Sequence, residues 1–290
     1  MNNFNGRNDS MVYSEDEALV IGLDIGSSYI KAVSLNPDHS IGEMIVQKTG
    51  YDYSAVVTSM LSKFKDRKLI VGVTGYGRNQ WQGVVQKTEI FALTEAVRFL
   101  GIQDGTVIDI GGQDSKVLKI KQGNLAEHVL NRRCAAGTGS YLEFTAHRLN
   151  IDIAAMNDMA AHETRIHPLN SYCTVFAGTE IIDCIKKNVP LPMLMRGLYA
   201  SVAERIREMT TMGSPVWLSG GVIAHHPVLL DVFRMVLGEH IRVDILSNPQ
   251  FLAAFGIALV ARRLNDAPGG ENATCQSSKK DSLKTRDPNM

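Results

Sequence analysis

Asp24-Ile-Gly-Ser-Ser-Tyr-Ile-Lys31 and Asp109-Ile-Gly-Gly-Gln-Asp-Ser-Lys116 are two stretches that begin with Asp-Ile-Gly and end with lysine. Each follows an apolar run and leads into a second β-type run, so each predicts a tight turn between two strands. One Asp-Ile-Gly alone is often only a strand that ends at a turn. Two copies in matching contexts predict a duplicated lobe.

Outward from these stretches, β-type runs alternate with helical periodicity, which is typical of an α/β protein. Strands are predicted at 18–24, 29–35, 41–48, 69–73, 107–109, 115–120 and 124–130. Helices are predicted around residues 56–64 and at 88–100, 136–149 and 251–264, with two more that begin near Gly178 and near His226.

The chain ends are rich in small polar and charged residues, so residues 1–16 and 265–290 are predicted to be disordered tails. We expect a first lobe over residues 17–100 and a second lobe over residues 101–250. The segment 251–264 is apolar on all sides and is expected to return to the first lobe as a buried helix.

Composition limits the classes of partner. The chain has 290 residues, 44% of them hydrophobic, which is enough for two lobes with their own cores. Thirty Lys and Arg balance thirty Asp and Glu, so no basic field is present to hold nucleic acid or an anionic membrane. The longest apolar stretch is shorter than the roughly 20 residues that cross a bilayer. We expect a cytoplasmic protein without nucleic-acid or membrane partners.

The duplicated stretches have the chemistry of phosphate-binding turns. Small residues let backbone N–H groups approach phosphate oxygens, and an aspartate can hold Mg²⁺ through water. Two such turns that face each other would bind the β- and γ-phosphates of ATP from both sides. The expected contacts are Gly26, Ser27, Ser28 and Lys31 from the first turn, and Gly111, Gly112 and Asp114 from the second.

Catalysis at such turns depends on positioning and electrostatics. Asp24 and Asp109 are expected to organise Mg²⁺ and the attacking water, and Gln113 or Asp114 to position that water. Lys116 is a further candidate for a phosphate contact. The sequence leaves open which carboxylate is the base.

Ser219-Gly220-Gly221 follows a third strand-like run, and its glycines would let a nucleoside lie against the backbone. With this order and spacing of motifs, the chain resembles the acetate and sugar kinase, Hsp70 and actin superfamily. The resemblance implies a two-lobed, actin-like ATPase fold with duplicated ribonuclease H-like lobes. It also makes the helices at 88–100 and 251–264 the connectors between lobes.

Cys134 and Cys173 each precede a predicted helix, whose N-terminus favours a thiolate. Neither belongs to a Cys-x-x-Cys pair, and a buried small hydrophobe is the alternative role for each. Two thiolates cannot complete a four-cysteine cluster. A two-fold axis would double them, so a homodimer could hold one [4Fe–4S] cluster between its subunits. Cys184 is predicted to lie in the core, and Cys275 in the tail is given no role.

Cys134-Ala-Ala-Gly-Thr-Gly and Cys173-Thr-Val-Phe-Ala, with Thr74-Gly-Tyr-Gly-Arg78-Asn79, resemble the activators of 2-hydroxyacyl-CoA dehydratases, in the BadF/BadG/BcrA/BcrD ATPase family. The resemblance covers about residues 19–263. It implies that Cys134 and Cys173 of both subunits bind one [4Fe–4S] cluster per homodimer. It also implies that ferredoxin or flavodoxin donates electrons, and that ATP hydrolysis drives one of them into a dehydratase.

Two positions depart from the pattern of these activators. Gly178-Thr179 stands where Glu-Ser is usual, and Thr94 stands where a histidine is usual. Three alternatives share the fold: the ATPase subunit of a benzoyl-CoA-reductase-like complex, a small-molecule kinase for a sugar, and an actin-like filament without enzymatic activity. An independent activator would purify as a homodimer, which separates it from a permanent subunit of a reductase-like complex. A sugar kinase, which lacks the cluster, would be colourless.

Overall fold

Two five-stranded mixed sheets form the framework of this computed structural model, which describes residues 18–132, 134–169 and 173–267. The first sheet has the order β3-β2-β1-β4-β5, with β1 (Leu19–Ile25), β2 (Tyr29–Leu35), β3 (Ile41–Lys48), β4 (Leu69–Thr74) and β5 (Val85–Gln86). The second has the order β10-β9-β6-β7-β8, with β6 (Gly105–Ile110), β7 (Ser115–Lys121), β8 (Asn124–Asn131), β9 (Val216–Ser219) and β10 (Val243–Ile245).

The two sheets repeat the same pairing. In each, the strand that delivers the aspartate pairs antiparallel with the next strand and parallel with a later one. The register is also repeated, because Asp24 lies opposite Lys31 and Asp109 lies opposite Lys116. The predicted two-lobed α/β fold with a duplicated lobe is therefore confirmed.

Nine α-helices pack on these sheets within the described ranges. They are α1 (Tyr53–Leu61), α2 (Glu89–Phe99), α3 (Gly139–Leu149), α4 (Ile153–Ala161), α5 (Thr174–Lys186), α6 (Leu191–Arg207), α7 (Gly221–His225), α8 (Leu229–Leu237) and α9 (Leu252–Asn265). One apolar core lies between the second sheet and α3 to α8, and another between the first sheet and α1.

A third apolar core joins the two sheets through α2 and α9. It contains Val20 and Val33 of the first sheet, and Val107 and Leu118 of the second, all fully buried. Glycine lets α9 lie close to the first sheet, because a β-carbon at Gly22 would overlap a backbone carbonyl of α9. The two crossing helices thus connect the sheets through a continuous packed core.

Several helix starts differ from those that the sequence predicts. α3 begins at Gly139 rather than at residue 136, because Gly137 has a left-handed φ of 82° and Thr138 is extended. α5 begins at Thr174 rather than near Gly178, so that Cys173 is its N-cap residue. The helix expected from His226 is replaced by α7 and α8.

The predicted tails lie outside the described residues, except for 265–267, where α9 ends at Asn265. Cys275 also lies outside them. In the part of the chain that the structure describes, no helix is long and apolar enough to cross a membrane.

Candidate functional site

A cleft of about 1370 Å³ opens between the two sheets. Its walls include the turns after β1 and β6, the first residues of α2 and α3, and α7. Of the residues predicted to contact nucleotide, these line the cleft: Gly26, Ser27, Ser28, Lys31, Gly111, Gly112, Gln113, Asp114 and Gly221. The sequence therefore identified residues that the fold brings together from both sheets.

Three predicted residues lie behind the cleft wall. Asp24 and Asp109 are buried, with 2% and 6% of their surface exposed, at the ends of β1 and β6. Gly220 has a positive φ of 101°, and a β-carbon there would overlap the carbonyl oxygen of Ile110. The structure thus gives Gly220 a packing role against β6.

The first turn pairs Asp24 with a lysine. Lys31 Nζ donates to Asp24 Oδ2 at 2.8 Å. Burial alone would lower the pKa of Lys31, but the Asp24 carboxylate raises it above its ordinary value. Asp24 Oδ1 is buried without a hydrogen-bond partner among the described residues. A buried carboxylate oxygen with free lone pairs fits a hydrated Mg²⁺.

The second turn surrounds a fully buried lysine with carboxylates. Lys116 Nζ lies 2.7 Å from Asp114 Oδ1, 3.0 Å from Glu89 Oε1 and 3.5 Å from Asp109 Oδ2. Arg132 also contacts Asp114, at 3.4 Å from Nε to Oδ2. Burial would lower the pKa of Lys116, but Glu89, Asp109 and Asp114 together raise it.

Glu89 is a residue of this site that the sequence motifs do not identify. It is the first residue of α2, after the N-cap Thr88, and its side chain lines the cleft. Burial raises the pKa of Glu89 to about 7; Lys116 opposes this shift, and the neighbouring aspartates add to it. Its position at the start of a predicted connector helix is the only sequence signal that could have indicated it.

The second phosphate turn is hydrogen-bonded directly to α3. The carbonyl of Gly111 accepts from the backbone N–H of Gly139 at 3.0 Å, and that of Gly112 accepts from Ser140 N–H at 2.7 Å. Ser140 Oγ donates to the same Gly112 carbonyl at 2.7 Å. The turn and the start of α3 are therefore linked by three hydrogen bonds.

Two adjacent histidines before Pro227 predict a solvated pair, and the structure shows this state for His225 alone. His225 is exposed and lines the cleft, but His226 is 4% exposed, and its Nδ1 lies 2.7 Å from the Tyr199 hydroxyl. Burial, with the neighbouring His225, lowers the pKa of His226 to about 4. The prediction is wrong for His226 because the α7 turn directs this side chain against α6.

The cysteines have different environments. Cys134 is half-buried in the loop before α3, Cys173 is exposed at the start of α5, and Cys184 is buried as predicted. The Asn131 amide donates to the carbonyls of Cys134 and Ala136 and so fixes the Cys134 loop. Neither Cys134 nor Cys173 is sealed in a core.

Helices α3 and α5, which follow the two cysteine positions, pack on each other. A β-carbon at Gly178 of α5 would lie 2.9 Å from Arg148 Cδ and 3.4 Å from the Phe144 ring of α3. Over the described ranges, no three His, Cys, Asp or Glu side chains cluster as metal ligands.

Residues 21–261 match the model of the BadF/BadG/BcrA/BcrD ATPase family. The chain belongs to this family. The family resemblance seen in the sequence is thus confirmed, and the family is one of ATPases.

Two curated relatives have names that describe activators. The 2-hydroxyisocaproyl-CoA dehydratase activator of Clostridioides difficile is 33% identical over 253 residues, covering 83% of this chain and 94% of that protein. The (R)-2-hydroxyglutaryl-CoA dehydratase activating ATPase of Acidaminococcus fermentans is 31% identical over 255 residues, covering 83% and 96%.

Solved structures agree. Component A of the Acidaminococcus fermentans (R)-2-hydroxyglutaryl-CoA dehydratase has a TM-score of 0.77 at 28% identity, covering 85% of this chain and 98% of that one. The activator of the 2-hydroxyisocaproyl-CoA dehydratase from Clostridium difficile, with bound ADPNP, has a TM-score of 0.74 at 30% identity. The match covers 84% of this chain and 94% of that one. A Streptomyces griseus glucokinase has a TM-score of 0.53 at 16% identity, covering 85% of this chain and all of that one. This likeness shows the shared fold alone.

Proposed function

We propose that this protein is an ATP-dependent, [4Fe–4S]-containing activator that transfers a low-potential electron to a 2-hydroxyacyl-CoA dehydratase. One observation carries the proposal. The carbonyls of the Gly111-Gly112 turn accept hydrogen bonds from the first residues of α3, which follows the Cys134 loop. A change at the phosphates would therefore reach the cysteine loop through contacts that are already present.

The two turns would hold the phosphates of ATP. Gly26, Ser27, Ser28 and Lys31 face the cleft on one side, and Gly111, Gly112 and Asp114 on the other. Asp24 and Asp109 would hold Mg²⁺ through its water ligands, and Gln113 would help to orient the attacking water. Gly221 would support the nucleoside, with Gly220 shaping the turn behind it. These roles divide nucleotide binding between residues 17–100 with 251–264 and residues 101–250.

The two cysteines fit an iron–sulfur cluster by their donor chemistry. Cys173 is exposed and lies at a helix N-terminus, where a thiolate and an anionic group are both stabilised. Cys134 is accessible in a loop held by the Asn131 amide. Two copies of the chain would supply four thiolates, the number that a [4Fe–4S] cluster requires. When bound, the cluster would supply one-electron transfer at low potential.

The packed helices α3 and α5 would transmit nucleotide state to the cysteines. Loss of the terminal phosphate would remove negative charge from the Gly111-Gly112 turn and so change its distance from the first turn. The hydrogen bonds of Ser140 would carry that displacement into α3, against which Gly178 of α5 packs. Ferredoxin or flavodoxin would donate the electron, and the dehydratase named in the relatives would accept it.

Anaerobic purification with iron and sulfide analysis tests this proposal. We expect a brown homodimer with about four irons per dimer, since a single shared cluster contains four. Cys134→Ser and Cys173→Ser should each remove the iron and the EPR signal of the reduced protein. Cys184→Ser is the matched control and should keep both, because Cys184 is buried beside His167.

Colourless wild-type protein, or iron that remains in both Cys134→Ser and Cys173→Ser, would contradict the proposal. Electron transfer should be assayed with a 2-hydroxyacyl-CoA dehydratase and reduced ferredoxin or flavodoxin. Dehydration that proceeds without ATP hydrolysis would likewise oppose it.

A further inference from the structure

Four carboxylates converge on the phosphate end of the cleft, and their partners differ. Asp24 is buried, with Oδ2 held by Lys31 at 2.8 Å. Asp109 is also buried, with only 8% of its side chain exposed, so neither aspartate is itself in the cleft wall. A proton acceptor for an attacking water must reach that water. Burial therefore makes Asp24 and Asp109 less able than a carboxylate of the cleft wall to accept a proton from the attacking water.

Asp114 is accessible, but both of its oxygens are engaged by cations. Lys116 Nζ lies 2.7 Å from Oδ1, and Arg132 Nε lies 3.4 Å from Oδ2. The ion pairs hold this side chain against β7 and the end of β8. Each oxygen of Asp114 therefore already has a positively charged partner.

Glu89 combines access with an available oxygen. Its side chain is 21% exposed, lines the cleft and contacts Lys116 through Oε1 at 3.0 Å. Its Oε2 makes no ion pair with another described residue. Glu89 is the first residue of α2, which is a different part of the fold from both phosphate turns, and all three line the same cleft.

We propose that Glu89 is the catalytic base for ATP hydrolysis, which accepts the proton of the water that attacks the terminal phosphate. The water oxygen forms a bond to the γ-phosphorus, and the bond from that phosphorus to the β–γ bridging oxygen breaks. The proton passes to the Glu89 carboxylate and then to solvent or to the released phosphate, while ADP retains the bridging oxygen. The role rests on the ATPase activity of the proposed function.

The charges around Glu89 suit this role. Lys116 of β7 contacts Glu89, and Lys31, Asp24, Asp109 and Asp114 interact with it electrostatically. Burial and these aspartates raise the pKa of Glu89 to about 7, against the opposing effect of Lys116. A base with a pKa near the working pH both accepts and releases a proton readily.

The test is Glu89→Gln in the full-length, anaerobically purified protein. We expect kcat for phosphate release to fall by about 100-fold or more, as loss of a general base does. The affinity for ADPNP, measured by calorimetry, should change by less than about threefold, because ADPNP binding needs no proton transfer. Glu127→Gln is the matched control: Glu127 is exposed, pairs with Lys119 outside the cleft, and should leave both quantities unchanged.

A pH profile separates a base from a residue that only supports the fold. Wild-type kcat should fall as the pH is lowered, because a base must be deprotonated to accept a proton, and Glu89→Gln should lose this dependence. Glu89→Asp should keep it at a lower rate. A Glu89→Gln variant that hydrolyses ATP within threefold of wild type, or that keeps the acidic limb, would overturn the assignment. Wild-type protein that binds no nucleotide would instead contradict the proposed function itself.

Discussion

Gly112 and Ser28 meet across the cleft: a β-carbon at position 112 would lie 2.7 Å from Ser28 Oγ. These residues belong to the turns after β6 and β1, in different sheets. The two phosphate turns therefore lie so close together that a side chain at position 112 would contact Ser28. Binding of phosphates between them must depend on how far the sheets can part at this point.

Gly112→Ala should weaken nucleotide binding more than it weakens the fold. The added methyl group would press on Ser28, and φ at residue 112 is not left-handed, so the backbone itself tolerates alanine. We expect the Kd for ADPNP to rise about tenfold or more, with the free energy of unfolding changed by less than about 1 kcal/mol. Calorimetry and urea unfolding measure the two quantities.

Gly213→Ala is the control for this change, because a β-carbon at Gly213 would meet no atom within 4 Å. It should leave nucleotide affinity unaltered. An unchanged Kd in Gly112→Ala would mean that the turns are already wide apart when nucleotide binds.

The crossing of α2 and α9 predicts a strong effect on stability. A β-carbon at Gly256 would overlap the carbonyl oxygen of Ala92, which is backbone and cannot rotate away. Gly256→Ala should therefore lower the free energy of unfolding by about 3 kcal/mol, although alanine is the better helix former. Chemical denaturation of the purified variant measures this loss.

Gly178→Ala provides the contrast. Its β-carbon would approach Arg148 Cδ at 2.9 Å, and Arg148 is a long side chain that can move. The gain in helix propensity is about 1 kcal/mol, so the net change should stay within about 1 kcal/mol of wild type. Equal losses in both variants would refute the distinction between backbone and side-chain contacts.

Much of this fold can be predicted from the sequence because the strand register repeats. Asp24 and Asp109 each end a strand opposite a lysine, so a local motif reports the pairing of strands that follow each other directly. The contact between Glu89 and Lys116 cannot be predicted from the sequence, because it depends on how a crossover helix packs on the second sheet.

The sequence predictions are wrong at two places where contacts between distant parts of the chain decide the structure. The sequence predicts the start of α5 near Gly178, but the helix begins at Thr174, and Gly178 packs inside it against α3. Adjacent histidines that cap a loop before Pro227 predict solvent exposure for His226, yet the Tyr199 hydroxyl gives it a buried partner. Both outcomes depend on tertiary contacts that a linear pattern does not contain.

The buried His226 predicts a loss of stability in mild acid. Its pKa is lowered from 6.5 to about 4 in the folded state, so below pH 6.5 the unfolded chain takes up a proton that the folded chain does not. The contribution of neutral His226 to the free energy of unfolding is complete above about pH 6.5. It is lost as the pH falls toward 4, by about 3 kcal/mol in total. Urea unfolding at a series of pH values measures this dependence.

His226→Gln should flatten that pH dependence, because glutamine does not titrate. His240→Gln is the control; His240 is exposed, and the slope should remain. Parallel pH profiles for wild type and His226→Gln would show that His226 titrates alike in the folded and unfolded chains.

Asp24 predicts a specific dependence on Mg²⁺. Lys31 occupies Oδ2, and Oδ1 is buried without a partner among the described residues, which leaves one oxygen for a water of the cation. In Asp24→Asn the Mg²⁺ concentration that half-activates ATP hydrolysis should rise at least about tenfold, because an amide carries no charge to attract Mg²⁺ and its water. Binding of ADPNP in EDTA should be equal or tighter, since a negative charge near the phosphates is removed.

Asp38→Asn, at an exposed turn beside Ser40, is the control and should change neither quantity. A wild-type Mg²⁺ dependence in Asp24→Asn would assign the cation to Asp109 and the second turn, because Asp109 is the equivalent carboxylate in the repeated register.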